Sequence, residues 1–199
     1  MSRLQAAVSL LSGALRRHRA NAALVGGLAV SARAEPRLTR DVDLAVAVAG
    51  DDEAEHLVRE LVADGFSTTT IVEHERTSRL ATVRMTLPGE TARGIVGDLL
   101  FASSGIEPLI VAHAEPLEVF PDVVVRVAQI GHLIALKLLS RDDRTRPQDR
   151  VDLNALFAVA TKEEVATTRE AIRRIEEGGY ARGRDLVAAL EEWLRGPAV

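Results

Sequence analysis

Cysteine is absent from the 199 residues of the chain. Disulfides, thiolate zinc sites and cysteine nucleophiles are therefore excluded, and the composition fits a reducing compartment. Three familiar motifs are missing as well: the H-E-x-x-H zinc helix, the G-x-S-x-G nucleophile elbow and the phosphate-binding P-loop. The five histidines show no ligand spacing. A catalytic site in this chain must therefore be built from other residue types.

Long apolar runs are also absent, since no segment approaches the ~18 apolar residues of a membrane span. The N-terminal stretch MSRLQAAVSLLSGALRRHR has a weak likeness to a signal peptide. Its apolar positions Leu4, Val8, Leu11 and Leu15 nevertheless recur at helical spacing, and Gln5 interrupts the run. We therefore expect an amphipathic first helix and a cytoplasmic protein without membrane contact.

The chain has no excess of basic residues, because its formal net charge is −4. No global positive field attracts nucleic acid, so any such contact needs a local patch. The densest basic cluster comprises Arg141, Arg144, Arg146 and Arg150. A second cluster comprises Arg33, Arg37 and Arg40. Acidic residues interleave with the first cluster, which favours a solvated helix end unless the fold brings it to a cleft.

Apolar periodicity predicts a mixed α/β segment followed by helices. Strands are predicted at 22–25, 41–48, 66–72, 80–87, 94–101 and 123–127. Besides the first helix and one opened by Asp52, helices are predicted at 28–33, 129–140, 148–160, 163–176 and 184–194. Asp52 with Glu55, and Thr161 with Glu164, have the spacing of capping boxes. We expect a core over residues 1–126 and a C-terminal helical region, 127–199, packed on that core.

Two carboxylates stand on one face of the strand predicted at 41–48. Side chains alternate across a strand, so Asp41 and Asp43 share a face while Val42, Leu44 and Val46 point to the core. Unpaired carboxylates this close repel each other by roughly 1 to 4 kcal/mol, depending on the local dielectric. A divalent cation converts that repulsion into binding, and Mg²⁺ prefers carboxylate oxygens.

A double glycine, Gly26-Gly27, lies shortly upstream and opens a predicted helix. Glycine lets the backbone approach a ligand closely, and the start of a helix presents free N–H groups to an anion. Phosphate suits such a turn. The order of strand, Gly-Gly, helix and Asp-x-Asp strand therefore predicts a phosphate site beside a metal site.

Two further charged residues stand in apolar surroundings. Asp98 lies within IVGDLLF, where a charge is costly unless it is paired or metal-bound. It either completes a two-metal clamp beside Asp41 and Asp43, caps a hairpin or pairs with an arginine. Lys137 shares a helix face with apolar residues, so it either extends to solvent or contacts an anion such as a nucleotide phosphate.

These features together resemble the polymerase-β-like nucleotidyltransferase superfamily. The segments that carry the resemblance are ALVGGLAVSAR, RLTRDVDLAV and HLIALKLLSRDDRTRPQDRVDLNAL. Within the superfamily they look like the AbiE-type nucleotidyltransferase toxins, over residues 22–157. The resemblance implies an α+β fold, with a mixed sheet and flanking helices, followed by a C-terminal helical region.

The resemblance also implies roles for individual residues. Asp41, Asp43 and Asp98 would hold two Mg²⁺ ions, and Asp98 would activate the acceptor hydroxyl. Gly26 and Gly27 would cradle the triphosphate of an NTP substrate, and Lys137 would contact the nucleotide. Many superfamily members have Gly-Ser where this chain has Gly27. A hydroxyl contact to phosphate would therefore come from Ser31 or Thr39.

The acceptor hydroxyl stays open between two alternatives. A toxin paired with an antitoxin would nucleotidylate RNA, in particular a tRNA end. An antibiotic-type enzyme would instead modify a small molecule. A third hypothesis from another class is a non-catalytic module that binds nucleotide or a protein partner.

Overall fold

The computed structural model describes residues 2–90, 94–142, 145 and 147–195. These residues form eight helices and seven strands. In chain order the elements are α1 (Arg3–Arg17), β1 (Asn21–Val25), α2 (Gly26–Arg33), β2 (Asp41–Ala47), α3 (Asp51–Ala63), β3 (Ser67–Glu73), β4 (Leu80–Thr86), β5 (Val96–Leu100), α4 (Glu107–His113), β6 (Glu115–Phe120), β7 (Val123–Val127), α5 (Ile130–Ser140), α6 (Pro147–Val159), α7 (Lys162–Glu177) and α8 (Leu186–Arg195).

The seven strands form one sheet in the order β3-β4-β5-β2-β1-β7-β6. The sheet is mixed, because β2 pairs with β5 and β1 with β7 in parallel, whereas the other neighbours are antiparallel. Helices flank the sheet and four more follow it. This architecture confirms the expected α+β fold with a C-terminal helical region. The sheet ends at Val127, and the domain boundary at residue 126 stays a prediction.

The alternation predicted for β2 is confirmed by its burial. Val42, Leu44 and Val46 are fully or almost fully buried, whereas Asp41 and Asp43 are only partly so. The central position of β2, between β5 and β1, explains why its apolar face is continuous with the core. The two carboxylates consequently project from the middle of the sheet rather than from its edge.

Two elements were not predicted from the sequence: α4 and β6. The helix has seven residues and begins with a proline in its first turn, which is too short for a helical period to stand out. The strand β6 lies at the sheet edge, and none of its residues is buried, so it lacks the apolar alternation that marks a strand. Neither α4 nor β6 could therefore be predicted from the hydrophobic pattern of the sequence.

The capping box predicted at Asp52 is wrong. Gly50 occupies the N-cap position of α3 without a side-chain cap, and Asp52 lies inside the first helical turn. Acidic residues are still favourable there, because they face the positive end of the helix dipole. At α7 one half of the predicted capping box is present, because the Thr161 side chain accepts a hydrogen bond from Glu164 N at 3.2 Å. The Glu164 carboxylate accepts from Gly131 N instead of completing the box.

The helix α5 is the centre of the C-terminal helical region and packs against α6, α7 and α8. Its contact with α7 is close: the Glu164 carboxylate accepts from Gly131 N at 2.6 Å, and Thr168 Oγ1 donates to Gly131 O at 3.1 Å. None of the described helices combines the length and apolar character needed to cross a bilayer.

We expect Gly131→Ala to lower the free energy of unfolding by about 1 to 3 kcal/mol, the usual range for overpacking. A Cβ at Gly131 would lie 2.4 Å from the backbone oxygen of Glu164, so α5 and α7 would have to separate. Gly13→Ala in α1 is the matched control, since its nearest such neighbour is an arginine tip at 3.9 Å. Chemical denaturation of both variants checks this; equal stabilities would show that the helices do not approach so closely.

Candidate active site

Three charged side chains form a row across β4, β5 and β2. Asp98 on β5 is the register partner of Asp43 on β2 and of Arg84 on β4. Directly opposite residues in paired strands project from the same face, so the three side chains are neighbours. The expectation that Asp98 stands beside the Asp-x-Asp strand is therefore confirmed. Its metal role stays a prediction.

The glycine turn places Gly26 directly over Asp43. Because β1 is antiparallel to β2 with Val25 opposite Asp43, the chain leaves β1 above the carboxylate. Gly26 has φ +64°, and a Cβ there would lie 1.9 Å from Asp43 Oδ2. No other residue type fits this position without displacing the carboxylate. The turn and the Asp-x-Asp strand are thus one structural unit.

The second glycine, Gly27, makes room for Arg37. A Cβ at Gly27 would lie 2.2 Å from a guanidinium nitrogen of Arg37. That guanidinium donates to both carboxylate oxygens of Asp152 on α6, at 2.6 and 2.9 Å. Ser31 fixes the intervening loop, because its hydroxyl donates to Gly27 O at 3.0 Å and accepts from Arg37 N at 3.2 Å. Ser31 therefore has a structural role in holding the glycine turn.

Lys137 is buried rather than extended to solvent. Its Nζ lies 2.8 Å from Asp149 Oδ1 and 2.7 Å from Asp152 Oδ2. Burial raises the pKa of Asp152, but the hydrogen bonds from Arg37 and Lys137 outweigh burial and leave that pKa below its usual value. Asp149 and Asp152 lie near the start of α6. Their pairing with Lys137 was missed, because it depends on how α6 packs against α5.

A cleft of about 1430 Å³ runs along this face of the sheet and continues to the C-terminal helices. Seven residues proposed from the sequence as site residues line it, whereas Ser31 does not. The seven are Gly26, Gly27, Thr39, Asp41, Asp43, Asp98 and Lys137. Segments that are far apart in the chain therefore meet in one cavity. The cavity is large enough for a nucleotide and part of a second molecule.

Arg84 forms a bidentate ion pair with Asp98. Its Nε and one terminal nitrogen donate to Oδ1 and Oδ2 of Asp98 at 2.8 and 2.7 Å. The hydrogen bonds to Asp98 raise the pKa of Arg84, burial opposes them, and the charges of Asp98, Asp41 and Asp43 add to the rise. Of the alternatives left open for Asp98, the arginine partner is therefore present. No sequence pattern had indicated Arg84, because the pair depends on strand register.

The carboxylates of Asp41, Asp43 and Asp98 suit a divalent cation, although their oxygens are not arranged around one metal position in this structure. Within residues 2–90, 94–142, 145 and 147–195, no group of three His, Asp or Glu side chains is arranged to hold a metal ion. Within the same residues the Asp41 side chain accepts no hydrogen bond and forms no ion pair. Carboxylate oxygens are the ligands that Mg²⁺ prefers, and the missing Cβ of Gly26 leaves room for one of them. The residues present thus fit Mg²⁺.

Three further arginines line the cleft: Arg40, Arg76 and Arg182. All three are exposed, and in the described part of the chain neither Arg40 nor Arg76 forms a hydrogen bond or an ion pair. Burial lowers the pKa of His74 and the charge of Arg182 lowers it further, whereas Glu75 raises it and Arg76 lowers it. This wall of the cleft therefore carries exposed arginines together with acidic side chains. Only Arg40 belonged to a basic cluster noted in the sequence.

Two arginines of the denser basic cluster lie outside the cleft lining. Arg141 packs over the Trp193 ring at 5.8 Å and is only partly exposed. Arg150 is exposed, and Arg144 and Arg146 lie outside the described residues. The solvated-helix interpretation therefore holds for Arg150, whereas Arg141 is packed against an aromatic ring.

Comparisons with known proteins agree with this geometry. A family model described as nucleotidyl transferase AbiEii toxin, type IV TA system, matches residues 9–195. No curated protein matches the chain. A nucleotidyltransferase-like antigenic protein from Paracoccidioides brasiliensis has a similar structure, with a TM-score of 0.56, 19% identity, and coverage of 94% of this chain and 92% of that chain. At this identity the likeness shows the fold.

Two antibiotic-modifying enzymes also match, at TM-scores below 0.5. The complex of ANT(2")-Ia with adenylyl-2"-tobramycin has a TM-score of 0.49 and 15% identity, covering 96% of this chain and 98% of that chain. The lincomycin-bound lincosamide adenylyltransferase LnuA has a TM-score of 0.48 and 10% identity, covering 80% and 99%.

We expect Gly26→Ala to be more destabilising than Gly89→Ala, by about 1 to 3 kcal/mol. Both glycines have positive φ, +64° and +80°, so both variants carry a similar backbone strain. Only at Gly26 would the new Cβ overlap a carboxylate, since nothing lies within 4 Å of the position at Gly89. Thermal unfolding measures the difference. Equal losses in the two variants would mean that Asp43 does not lie against the turn.

Proposed function

The chain belongs to the nucleotidyl transferase AbiEii toxin family, and we propose that it transfers a nucleoside monophosphate from an NTP to a hydroxyl group of RNA, with tRNA as the acceptor. The observation that carries this proposal is the row formed by Asp43 and Asp98 beside the turn at Gly26. Family membership makes the chain a nucleotidyltransferase. The acceptor, the paired antitoxin and the residue roles are proposals.

Asp41, Asp43 and Asp98 are the residues that would hold Mg²⁺. When bound, the metal would neutralise charge on the triphosphate and align it with the attacking hydroxyl. The chain itself would supply position, because neighbouring strands fix the spacing of Asp43 and Asp98. Asp98 would accept the proton of the acceptor hydroxyl as the hydroxyl oxygen attacks the α-phosphorus in line, the bond from that phosphorus to the β-phosphate oxygen breaks, and pyrophosphate leaves. Holding the two reactants in line is the main catalytic contribution expected of such a site.

The nucleotide would lie against the start of α2. Backbone N–H groups at Gly26 and Gly27 point from a helix N-terminus, where a phosphate is stabilised. Lys137 lines the same cleft, and Asp149 and Asp152 account for two of its three N–H donors. The third donor is available for a phosphate oxygen. Thr39 lines the cleft next to the Asp-x-Asp strand and would contribute a hydroxyl.

Three exposed arginines in the wall of the cleft are the feature that favours RNA as the acceptor. Arg40, Arg76 and Arg182 line the cavity that also contains the carboxylates. The net charge of the chain is −4, so these arginines provide the local patch that a polyanion would need. An RNA end could place its terminal hydroxyl at Asp98 while its phosphates contact the arginines.

Asp41→Asn and Asp43→Asn are each expected to reduce transfer on the order of 100-fold or more, since several kcal/mol of charge stabilisation would be lost. The fold should survive, because each change relieves like-charge repulsion. The assay incubates the protein with Mg²⁺, each α-labelled NTP and total tRNA. Asp52→Asn, an exposed change in α3, is the matched control. Full activity in both site variants would refute this mechanism.

The double variant Arg40→Glu/Arg76→Glu is expected to weaken tRNA binding about tenfold or more and to make that binding less dependent on salt. Arg150→Glu, at an exposed arginine outside the cleft, should bind tRNA as the wild type does. Fluorescence anisotropy at two salt concentrations measures both. Unchanged tRNA binding in the double variant, with label entering small alcohols instead, would favour a small-molecule acceptor.

A further inference from the structure

The ion pair between Arg84 and Asp98 bears directly on the proposed reaction. Asp98 is proposed to hold metal and to accept a proton, yet both of its oxygens accept hydrogen bonds from one guanidinium. A carboxylate with both oxygens engaged by a guanidinium is less available as a ligand for a cation or as an acceptor for another hydrogen bond. If the reaction proceeds as proposed above, Arg84 must therefore leave Asp98 before the reaction.

The surroundings of Arg84 allow that movement. Its side chain is 45% exposed, whereas the Asp98 side chain is 12% exposed, so the arginine is the mobile partner. Both residues line the cleft in which the nucleotide would bind. The planar guanidinium fork that fits a carboxylate fits a phosphate equally well.

Electrostatic interactions favour movement of Arg84 from Asp98 to the nucleotide when the ligands bind. In this structure Arg84 pairs with Asp98, and Asp43 is the register neighbour of Asp98 on the other side, so the guanidinium relieves part of the repulsion among the carboxylates. A divalent cation among these carboxylates would repel the guanidinium, which would then need another anion nearby. The triphosphate of the nucleotide is that anion, and it would arrive at the adjacent glycine turn.

We propose that Arg84 is an exchangeable counter-ion, which neutralises Asp98 in the ligand-free protein and transfers to the nucleotide triphosphate when metal and nucleotide bind together. This proposal rests on the proposed function of the site. Arg84 would thereby disfavour binding of metal alone and would couple the two ligands, because each ligand removes an obstacle to the other. It acts as a positioning residue, through Asp98 and the triphosphate.

The alternative is a permanent cross-strand pair with a purely structural role. A permanent pair would stabilise β4 against β5 and would stay in place when ligands bind. Removing it would lower the melting temperature without changing how metal and nucleotide affect each other. Measuring the two ligands separately and together distinguishes the alternatives.

The test uses the full chain, with Mn²⁺ as the metal probe and α,β-methylene analogues of the four nucleoside triphosphates. Electron paramagnetic resonance reports free Mn²⁺, and calorimetry reports binding of the analogue. Arg84→Gln removes the charge but keeps a polar side chain of similar reach. Arg79→Gln is the matched control, because Arg79 also pairs with a carboxylate, Asp51, but lies outside the cleft lining.

For Arg84→Gln we expect Mn²⁺ alone to bind about fivefold or more tightly than to the wild type, and the analogue to bind more weakly by a similar factor. The coupling factor between the two ligands should fall towards one. Arg79→Gln should leave all three quantities at their wild-type values.

Unchanged or weaker Mn²⁺ binding by Arg84→Gln, together with wild-type coupling, would overturn the exchange and leave the proposed function standing. A wild-type protein that binds neither Mn²⁺ nor any analogue would overturn the proposed function and this inference with it. Loss of folding in Arg84→Gln is checked by its melting curve. In that case Arg84→Lys, which keeps the charge but loses the fork, should retain weak Mn²⁺ binding and lose part of the coupling.

Discussion

Repulsion among three carboxylates on one face of the sheet is the constraint on which the rest of the site depends. Asp41 and Asp43 share a face because of the strand period, and Asp98 joins them because β5 pairs with β2 in that register. The protein tolerates this concentration of charge through Arg84 and through partial exposure to the cleft. Three carboxylates close together in the centre of a sheet repel one another, and binding of a cation offsets this unfavourable free energy.

A second electrostatic unit connects the glycine turn to the C-terminal helices. Arg37 leaves the loop after α2, passes Gly27 and binds Asp152, which also contacts Lys137. Asp149 holds the other side of the same ammonium. Among the described residues this network contains two buried anions and two cations, and removing one of the cations would weaken the pairing of a buried carboxylate. The helices therefore help to position the turn at which the triphosphate is proposed to bind.

Several features of the site could be predicted from local sequence patterns. The others depend on strand register and helix packing, which the sequence patterns do not reveal. The face shared by Asp41 and Asp43 follows from a period of two, and the turn at Gly26 follows from glycine chemistry, so both were predictable. Lys137 stood out as a charge on an apolar helix face, but its partners depend on packing between helices. Arg84 could not be found from the sequence, because an arginine on a Thr-rich strand looks solvent-exposed until register places it opposite Asp98.

The central claim is that the glycine turn and the two carboxylate strands bind metal and nucleotide as one site. Paramagnetic broadening by Mn²⁺ in ¹⁵N-labelled protein of 21.5 kDa, with an α,β-methylene nucleotide present, tests it most directly. The account predicts that the amide resonances of Gly26, Asp43 and Asp98 broaden first, and that those of α8, which contributes no residue to the cleft lining, stay sharp. Broadening that starts in α8 or α3 and spares the three site residues would contradict it.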